Sequence, residues 1–420
     1  MRRMTVLWIC NFSNPEVRSQ LSLNNGLDFL VRRFLNKKNL SYTDYGIWNT
    51  NGINEVKKYK TIELHVISPH ANLRTNVQSF VLDGVHYYFY RVNENTLFGK
   101  ICQKLLRRTP SYNNSRKVIS DIISHVKPDI IHIIGAENPS YSLAALDISR
   151  DVPLIVQLQT VINDPKLKEK SIYFPEYVLQ CERDVIKRAD YIGCSELDVH
   201  FRNVIEKYIA KDKIYLNLDI PNGLSVQISN CEKKYDFVYF SANINKSFDL
   251  ALEAFILAHN INSSLTLDVI GHYDQDFKST IDKRIKENNL QEFIHFEGHQ
   301  ETYKEVLNLV KQCKVALLPL KIDLISSTIR ESMALGVPVI TTITPGTPEL
   351  NSKRESVLLS DIGDYAKMAE NMVKIIEDTV FYNLIQKNAA QTIKDLFDNS
   401  VTIAEWIAAY KNISSNENKE

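Results

Sequence analysis

Residues 315–350 read V-A-L-L-P-L-K-I-D-L-I-S-S-T-I-R-E-S-M-A-L-G-V-P-V-I-T-T-I-T-P-G-T-P-E-L. A short apolar run, Val315 to Leu318, suits a buried strand. A polar loop follows from Asp323 to Thr328, then a helix from about Ile329 to Leu335. Gly336 stops that helix, because a residue in the left-handed region is expected there. Pro338 is a second stop, and Val337, Val339 and Ile340 form the next buried strand. Pro345-Gly346-Thr347-Pro348 turns the chain at its end. A strand, loop, helix and strand in this order make one unit of a parallel sheet. Open α/β sheets bind ligands where the carboxyl end of a strand meets a helix N-terminus.

The chemistry follows from that geometry. Ser326, Ser327 and Thr328 put three hydroxyls and their amides at a helix start, a place that favours phosphate. Asp323 and Glu331 flank it, with seven residues between them. A carboxylate can accept from two sugar hydroxyls at once. Together they suit a sugar nucleotide. A plainer reading of Thr328-Ile329-Arg330-Glu331 is a capping box, in which Glu331 only satisfies a backbone amide. Asp323 then reads as a solvated loop residue.

The same stretch resembles the donor-site signature of the retaining glycosyltransferases of family 4. Glu331-Ser332-Met333-Ala334-Leu335-Gly336-Val337-Pro338-Val339-Ile340 matches its centre, and Gly346 with Glu349 matches its end. The first acidic position, usually Glu, is Asp323, and Ile325-Ser326-Ser327 replaces the usual Gly-x-Pro. The resemblance implies an α/β protein of the GT-B fold. Two Rossmann-like domains would face each other across a cleft, with a C-terminal helix crossing back to the N-terminal one. The acceptor-side domain would be 1–222 plus the returning helix 398–414, and the nucleotide-sugar domain 223–397.

Composition narrows the class. With 420 residues, 44% of them hydrophobic, the chain can bury two large cores. Formal net charge is zero, so no basic field argues for nucleic acid. The six cysteines are scattered and read as thiols of a reducing compartment. No apolar run approaches the ~20 residues a membrane span needs. A cytoplasmic protein is expected.

In chain order, Thr5 to Cys10 reads as the first strand, followed by the glycine-free turn Asn11-Phe12-Ser13-Asn14-Pro15. The family has a Gly-rich turn there, which lets the backbone approach the donor phosphate; Asn14 of this turn is expected on the acceptor side. Leu23 to Leu35 reads as a helix, and Thr61 to Ser68 and Val85 to Val92 as strands. Residues 96–108 place Leu97, Phe98, Ile101, Cys102, Leu105 and Leu106 on one helical face, beside Lys100, Lys104, Arg107 and Arg108. Such a helix can lie on an anionic membrane; it can equally be a surface helix with a solvated face. Ile130 to Ile134 is a strand whose His132 reads as a core histidine. Glu137 and Asn138 follow its carboxyl end, facing the acceptor. Gln159 stands near a His position of the family and can bind a sugar but cannot shuttle a proton.

Pro221-Asn222-Gly223 resembles the family's turn at the end of the first domain. Beyond it, the loop Ser241 to Ser247 resembles the family's diphosphate loop. Lys246 matches its Lys, Asn243 lies beside it, and its Arg has no counterpart. Gly271 ends a strand as in the family, and Gly298 and His299 stand where the family's backbone meets the nucleobase. His299 reads equally as a loop histidine. Val401 to Ile413 resembles the returning helix.

The resemblance implies transfer of a sugar from a nucleoside-diphosphate sugar to a glycan or lipid-linked acceptor, with retention. The setting the resemblance implies is bacterial surface polysaccharide synthesis. Glu331 would hold the ribose, Lys246 and the helix start the diphosphate, and Asp323 the sugar. No cofactor or metal is implied. Two rival readings remain: a GT-B protein that has lost transfer and acts as a partner or glycan-binding subunit, and a GT-B sugar-nucleotide epimerase. The sequence leaves the oligomeric state open.

Overall fold

A computed structural model describes residues 3–23, 44–95, 109–169, 173–195, 199–224, 226–227, 231–244, 247–300, 302–321 and 325–417. The chain divides into two compact units, Met1–Pro221 with Asn399–Glu420, and Asn222–Asp398. The readings at Asp323, Lys246, the helix Leu23 to Leu35 and the basic stretch 96–108 fall outside the described residues.

The first unit is built on β1 (Met4–Ile9), β2 (Ile62–Pro69), β3 (Val77–Leu82), β4 (Val85–Tyr90), β5 (Ile130–Ile134), β6 (Leu154–Gln157), β7 (Tyr191–Cys194) and β8 (Ile214–Asn217). They form one sheet in the order β3-β4-β2-β1-β5-β6-β7-β8, parallel except for β3. Because both faces of a parallel sheet are covered, its strands read as unbroken apolar runs. Leu7, Ile9, Ile131, Ile133 and Val156 pack on one face with Ile119 and Val185 of helices Asn113–Val126 and Glu176–Arg188. Val6, Trp8, Cys10, Ile130 and Ile155 pack on the other, with Ile53 of helix Ile47–Val56. Trp406 and Tyr410 of the last helix, Asn399–Glu417, belong to that second face. Trp406 Nε1 also donates to the Asp219 carbonyl at 3.0 Å.

Several elements were not expected, two of them in this sheet's surroundings. Helix Ile47–Val56 covers the sheet. Strand β3 pairs antiparallel with β4 through Asp83 and Gly84, both at positive φ (50° and 79°). Asp-Gly favours that two-residue hairpin turn.

The second unit carries β9 (Tyr235–Asn243), β10 (Leu267–His272), β11 (Ile294–Gly298), β12 (Cys313–Leu317), β13 (Val339–Thr342) and β14 (Leu358–Ser360). Their order is β11-β10-β9-β12-β13-β14, and the pairings are parallel. This is the doubly wound order 3-2-1-4-5-6. One apolar core joins the sheet to helices Phe248–Ile261, Ser327–Ala334, Tyr365–Glu377 and Thr379–Leu396. Among the described residues no helix is long and apolar enough to cross a membrane.

Candidate donor and acceptor sites

In the second sheet the strand order reverses between β9 and β12. The crevice beyond their carboxyl ends is the binding place in such a sheet. Two loops meet it: the one after β9, ending at Ser247, and the one after β12, leading to Ser326. Lys321 of the second loop donates to Asp249, in the first turn of helix Phe248–Ile261, at 2.9 and 2.8 Å. That pair ties the two loops together.

Helix Ser327–Ala334 starts two residues earlier than its apolar spacing suggests, with Ser326 as N-cap in extended conformation. Ser326 makes no side-chain cap bond, because its Oγ pairs with Thr328 Oγ1 at 2.8 Å. The Ser327 and Thr328 amides are left to a ligand or to water, while Ile329 N donates to the Ser326 carbonyl at 3.2 Å. The start also moves the capping-box position. Three residues past the N-cap stands Ile329, so Glu331 caps nothing. At the other end Gly336 has φ 72°, and Val337 N donates to Ser332 O at 2.9 Å, the closure of a Schellman turn.

Glu331 is 5% exposed. Burial pushes its carboxyl up; Tyr303, Arg330 and Ser327 push it down in part. The Tyr303 hydroxyl lies against the carboxyl without reaching good hydrogen-bond geometry. A methyl group on Gly223 would stand 2.7 Å from Glu331 Oε1. The Asn222-Gly223 turn is thus one wall of the Glu331 site, and glycine leaves room for the carboxyl. Nothing in the local sequence around Gly223 signals this role.

Gly271, at φ 142°, lets the end of β10 lie on β9: a Cβ there would stand 2.0 Å from the Ser241 carbonyl. Its role is close packing. Gly298 has φ 71° and open space where a Cβ would point. His299 is half-buried beside it, and Asn243 is the last residue of β9. Asp274-Gln275-Asp276 has Asp-x-Asp spacing, but it is exposed and starts helix Gln275–Glu287.

The first sheet reverses between β1 and β5, and the acceptor-side residues gather beyond those strands. Gly135, at φ 97°, ends β5. A methyl group there would stand 3.2 Å from both Glu137 Oε1 and Gln159 Oε1. Glu137 and Gln159 therefore border one space. Glu137 Oε2 is buried without a partner among the described residues. Burial and, less strongly, Glu182 push this carboxyl up, opposed by the Glu137 and Ala136 amides; it titrates at about 7.

Asn14 and Asn138 differ from expectation. Asn14 is 9% exposed and N-caps helix Pro15–Gln20, accepting from Val17 N at 2.9 Å and donating to Thr50 at 3.3 Å. Asn138 Oδ1 accepts from Ser140 N and Oγ at 3.2 and 2.7 Å. Both side chains shape turns. A 3-10 turn at Ser142–Asp147 follows Asn138. Sequence reasoning missed Glu182. It is fully buried and accepts from the Ile162 and Asn163 amides at 2.8 and 2.9 Å, fixing the loop that follows Gln159.

Residues 225–392, nearly the whole second unit, match the family described as glycosyl transferases group 1. The second unit carries a glycosyl transferases group 1 domain. A curated relative is N-acetyl-alpha-D-glucosaminyl L-malate synthase of Bacillus anthracis, 22% identical over 134 residues. That match covers 32% of this chain and 34% of the relative's length. Solved structures share the fold over the whole chain. Sucrose-phosphate synthase from Thermosynechococcus elongatus has a TM-score of 0.67 at 14% identity, covering 99% of this chain and 100% of that one. Anabaena HepE, solved in complex with UDP, has 0.62 at 16%, covering 98% and 100%. The glycosyl transferases group 1 match spans the switch point, the Ser326 helix start and Glu331. The fold of both units is GT-B.

Proposed function

We propose that this chain moves a sugar from a nucleoside-diphosphate sugar to a glycan or lipid-linked acceptor, with retention, in bacterial surface polysaccharide synthesis. The observation that carries the reading is Glu331. It is a buried carboxyl that caps no helix, held against Gly223 at the switch point of a doubly wound sheet. A buried carboxyl without a structural duty needs a donor to offset its desolvation, and a ribose diol supplies two.

In this reading the diphosphate sits on the first-turn amides after Ser326, with the Ser327 and Thr328 hydroxyls and Lys246 beside it. The helix dipole and the lysine offset the charge that builds on the leaving diphosphate, so no metal or cofactor is required there. Asp323 accepts from sugar hydroxyls. The acceptor oxygen bonds to the anomeric carbon as the diphosphate leaves, and its proton passes to a phosphate oxygen. Glu137 and Gln159 bind the acceptor's hydroxyls. The basic apolar stretch 96–108 brings the enzyme to the cytoplasmic face of a membrane that carries a lipid-linked acceptor.

The test is a thermal-shift screen of UDP, GDP, ADP and CMP on the wild type and on Glu331→Ala. A nucleotide at ~100 times its dissociation constant stabilises by about 2.7 kcal/mol. UDP is the first probe because Anabaena HepE was solved with it. A shift with one nucleoside diphosphate that disappears in Glu331→Ala is expected. No shift with any of the four would overturn the donor-site reading.

A further inference from the structure

A second constellation lies at the edge of the second sheet, apart from the chemistry above. Asp268 of β10 is paired in register with His295 of β11, and Glu297 stands two residues further along β11. Strand alternation puts all three side chains on one face. Their ligand-capable atoms lie within 4.8 Å of one another, and His295 Nε2 is 3.2 Å from Glu297 Oε1.

Asp268 is the unusual member. It is 1% exposed, and its Oδ1 has no hydrogen-bond partner among the described residues. An orphaned carboxylate oxygen at such depth carries the full cost of desolvation. His295 and Glu297 are partly exposed, with side chains 50% and 29% accessible. The cluster therefore has a buried floor and an entrance from solvent. The His295 ring also stacks on Tyr235, with centroids 5.7 Å apart and 13° between planes, which holds the imidazole in place.

We propose that Asp268, His295 and Glu297 form a binding site for one divalent transition-metal ion of the zinc class. One imidazole and two carboxylates suit Zn²⁺ or Co²⁺, with water completing the shell on the exposed side. Bonds of about 2.1 Å in a tetrahedral shell hold ligand atoms roughly 3.4 Å apart. The three atoms need only a small inward movement of the two exposed side chains. The ion bridges β10 to the edge strand β11, whose end is Gly298. Its role is to fasten that strand. It takes no part in sugar transfer.

The experiment uses the full untagged chain, stripped with chelator and titrated with Zn²⁺ alone by calorimetry, then with Co²⁺ followed by visible absorption. One Zn²⁺ per chain is expected, with the binding lost in Asp268→Asn and in His295→Gln. The Co²⁺ spectrum should show d–d bands of nitrogen and oxygen ligands. Far-UV circular dichroism checks that both variants fold, and His295→Gln, at an exposed position, keeps the test open if Asp268→Asn does not. Three results would overturn the site: no saturable binding, unchanged stoichiometry in the folded variants, or a thiolate charge-transfer band that moves the ion to a cysteine. In the first case Asp268 holds a proton instead, and His295–Glu297 is an ordinary surface pair.

Discussion

The Tyr410 hydroxyl stands 3.0 Å from Trp8 Nε1, 402 residues away in the chain, and 2.6 Å from His132 Nδ1. An indole can only donate, so Tyr410 accepts from Trp8, and the same hydroxyl is hydrogen-bonded to His132 Nδ1 in the direction set by the imidazole tautomer. All three side chains are buried. One hydroxyl thus fastens the last helix to β1 and β5.

Tyr410→Phe keeps the ring and strands the two nitrogens. At ~1–3 kcal/mol for each orphaned group, it should cost the first unit about 2–6 kcal/mol. All three tryptophans, Trp8, Trp48 and Trp406, lie in that unit. Urea unfolding followed by tryptophan fluorescence therefore reads it selectively. An unchanged midpoint would show that the hydroxyl fastens nothing.

His132 gives the first unit an acid-sensitive core. Burial pushes His132 down to about 3, and burial with Arg18 pushes His70 down to about 4. Between those values and the unfolded value of about 6.5, the unfolded chain binds more protons than the folded one. Stability from these groups is complete above pH ~6.5 and falls on acidification, with a slope approaching ~1.4 kcal/mol per pH unit for each. His132→Gln should flatten the wild-type slope between pH 7 and pH 5, read by the same fluorescence. Equal slopes in the two proteins would refute this.

Glu137 works in the opposite sense. Its folded value of about 7 lies above the ordinary value of 4.5, so the folded state holds the proton longer. Its contribution is intact below pH ~4.5 and is lost as pH rises through 7. Glu137→Gln, close in shape to the protonated acid, should match the wild type at pH 4.5 and exceed it by about 3 kcal/mol at pH 8. A difference independent of pH would contradict the assignment. On the proposed function, the same variant should raise KM for the acceptor and leave nucleotide binding intact.

Gly223→Ala separates folding from binding. The new methyl group meets the end of one side chain, Glu331 Oε1 at 2.7 Å, with no positive φ to strain. The fold should lose less than ~1 kcal/mol, since the carboxyl can swing aside. Nucleotide affinity should fall about tenfold, equal to ~1.4 kcal/mol. Calorimetric titration with UDP measures it, and unchanged affinity would remove Gly223 and Glu331 from the donor site.

Much of the fold was legible from local pattern. The apolar runs at Val315–Leu318 and Ile130–Ile134, the stop at Gly336 and the core reading of His132 all rest on neighbours within a turn or a strand. Asp83-Gly84 was legible as well, and the strand Val77–Leu82 beside it was overlooked. What was not legible depended on side-chain competition. Asn14 and Asn138 look free in sequence, yet each is taken up by an amide within three residues. The Ser326 helix start could not be read from apolar spacing, because the first turn is polar.

The sequence by itself determined the strand, loop, helix and strand at 315–350, the hydroxyls at its loop and the acid at 331. These follow from backbone propensity and periodicity, which act between near neighbours. Only the tertiary structure decided that Glu331 is buried against Gly223 and that Glu137 shares a space with Gln159. It alone stranded a carboxylate oxygen at Asp268. Desolvation is set by everything packed around a group, and that packing draws on residues tens to hundreds of positions apart.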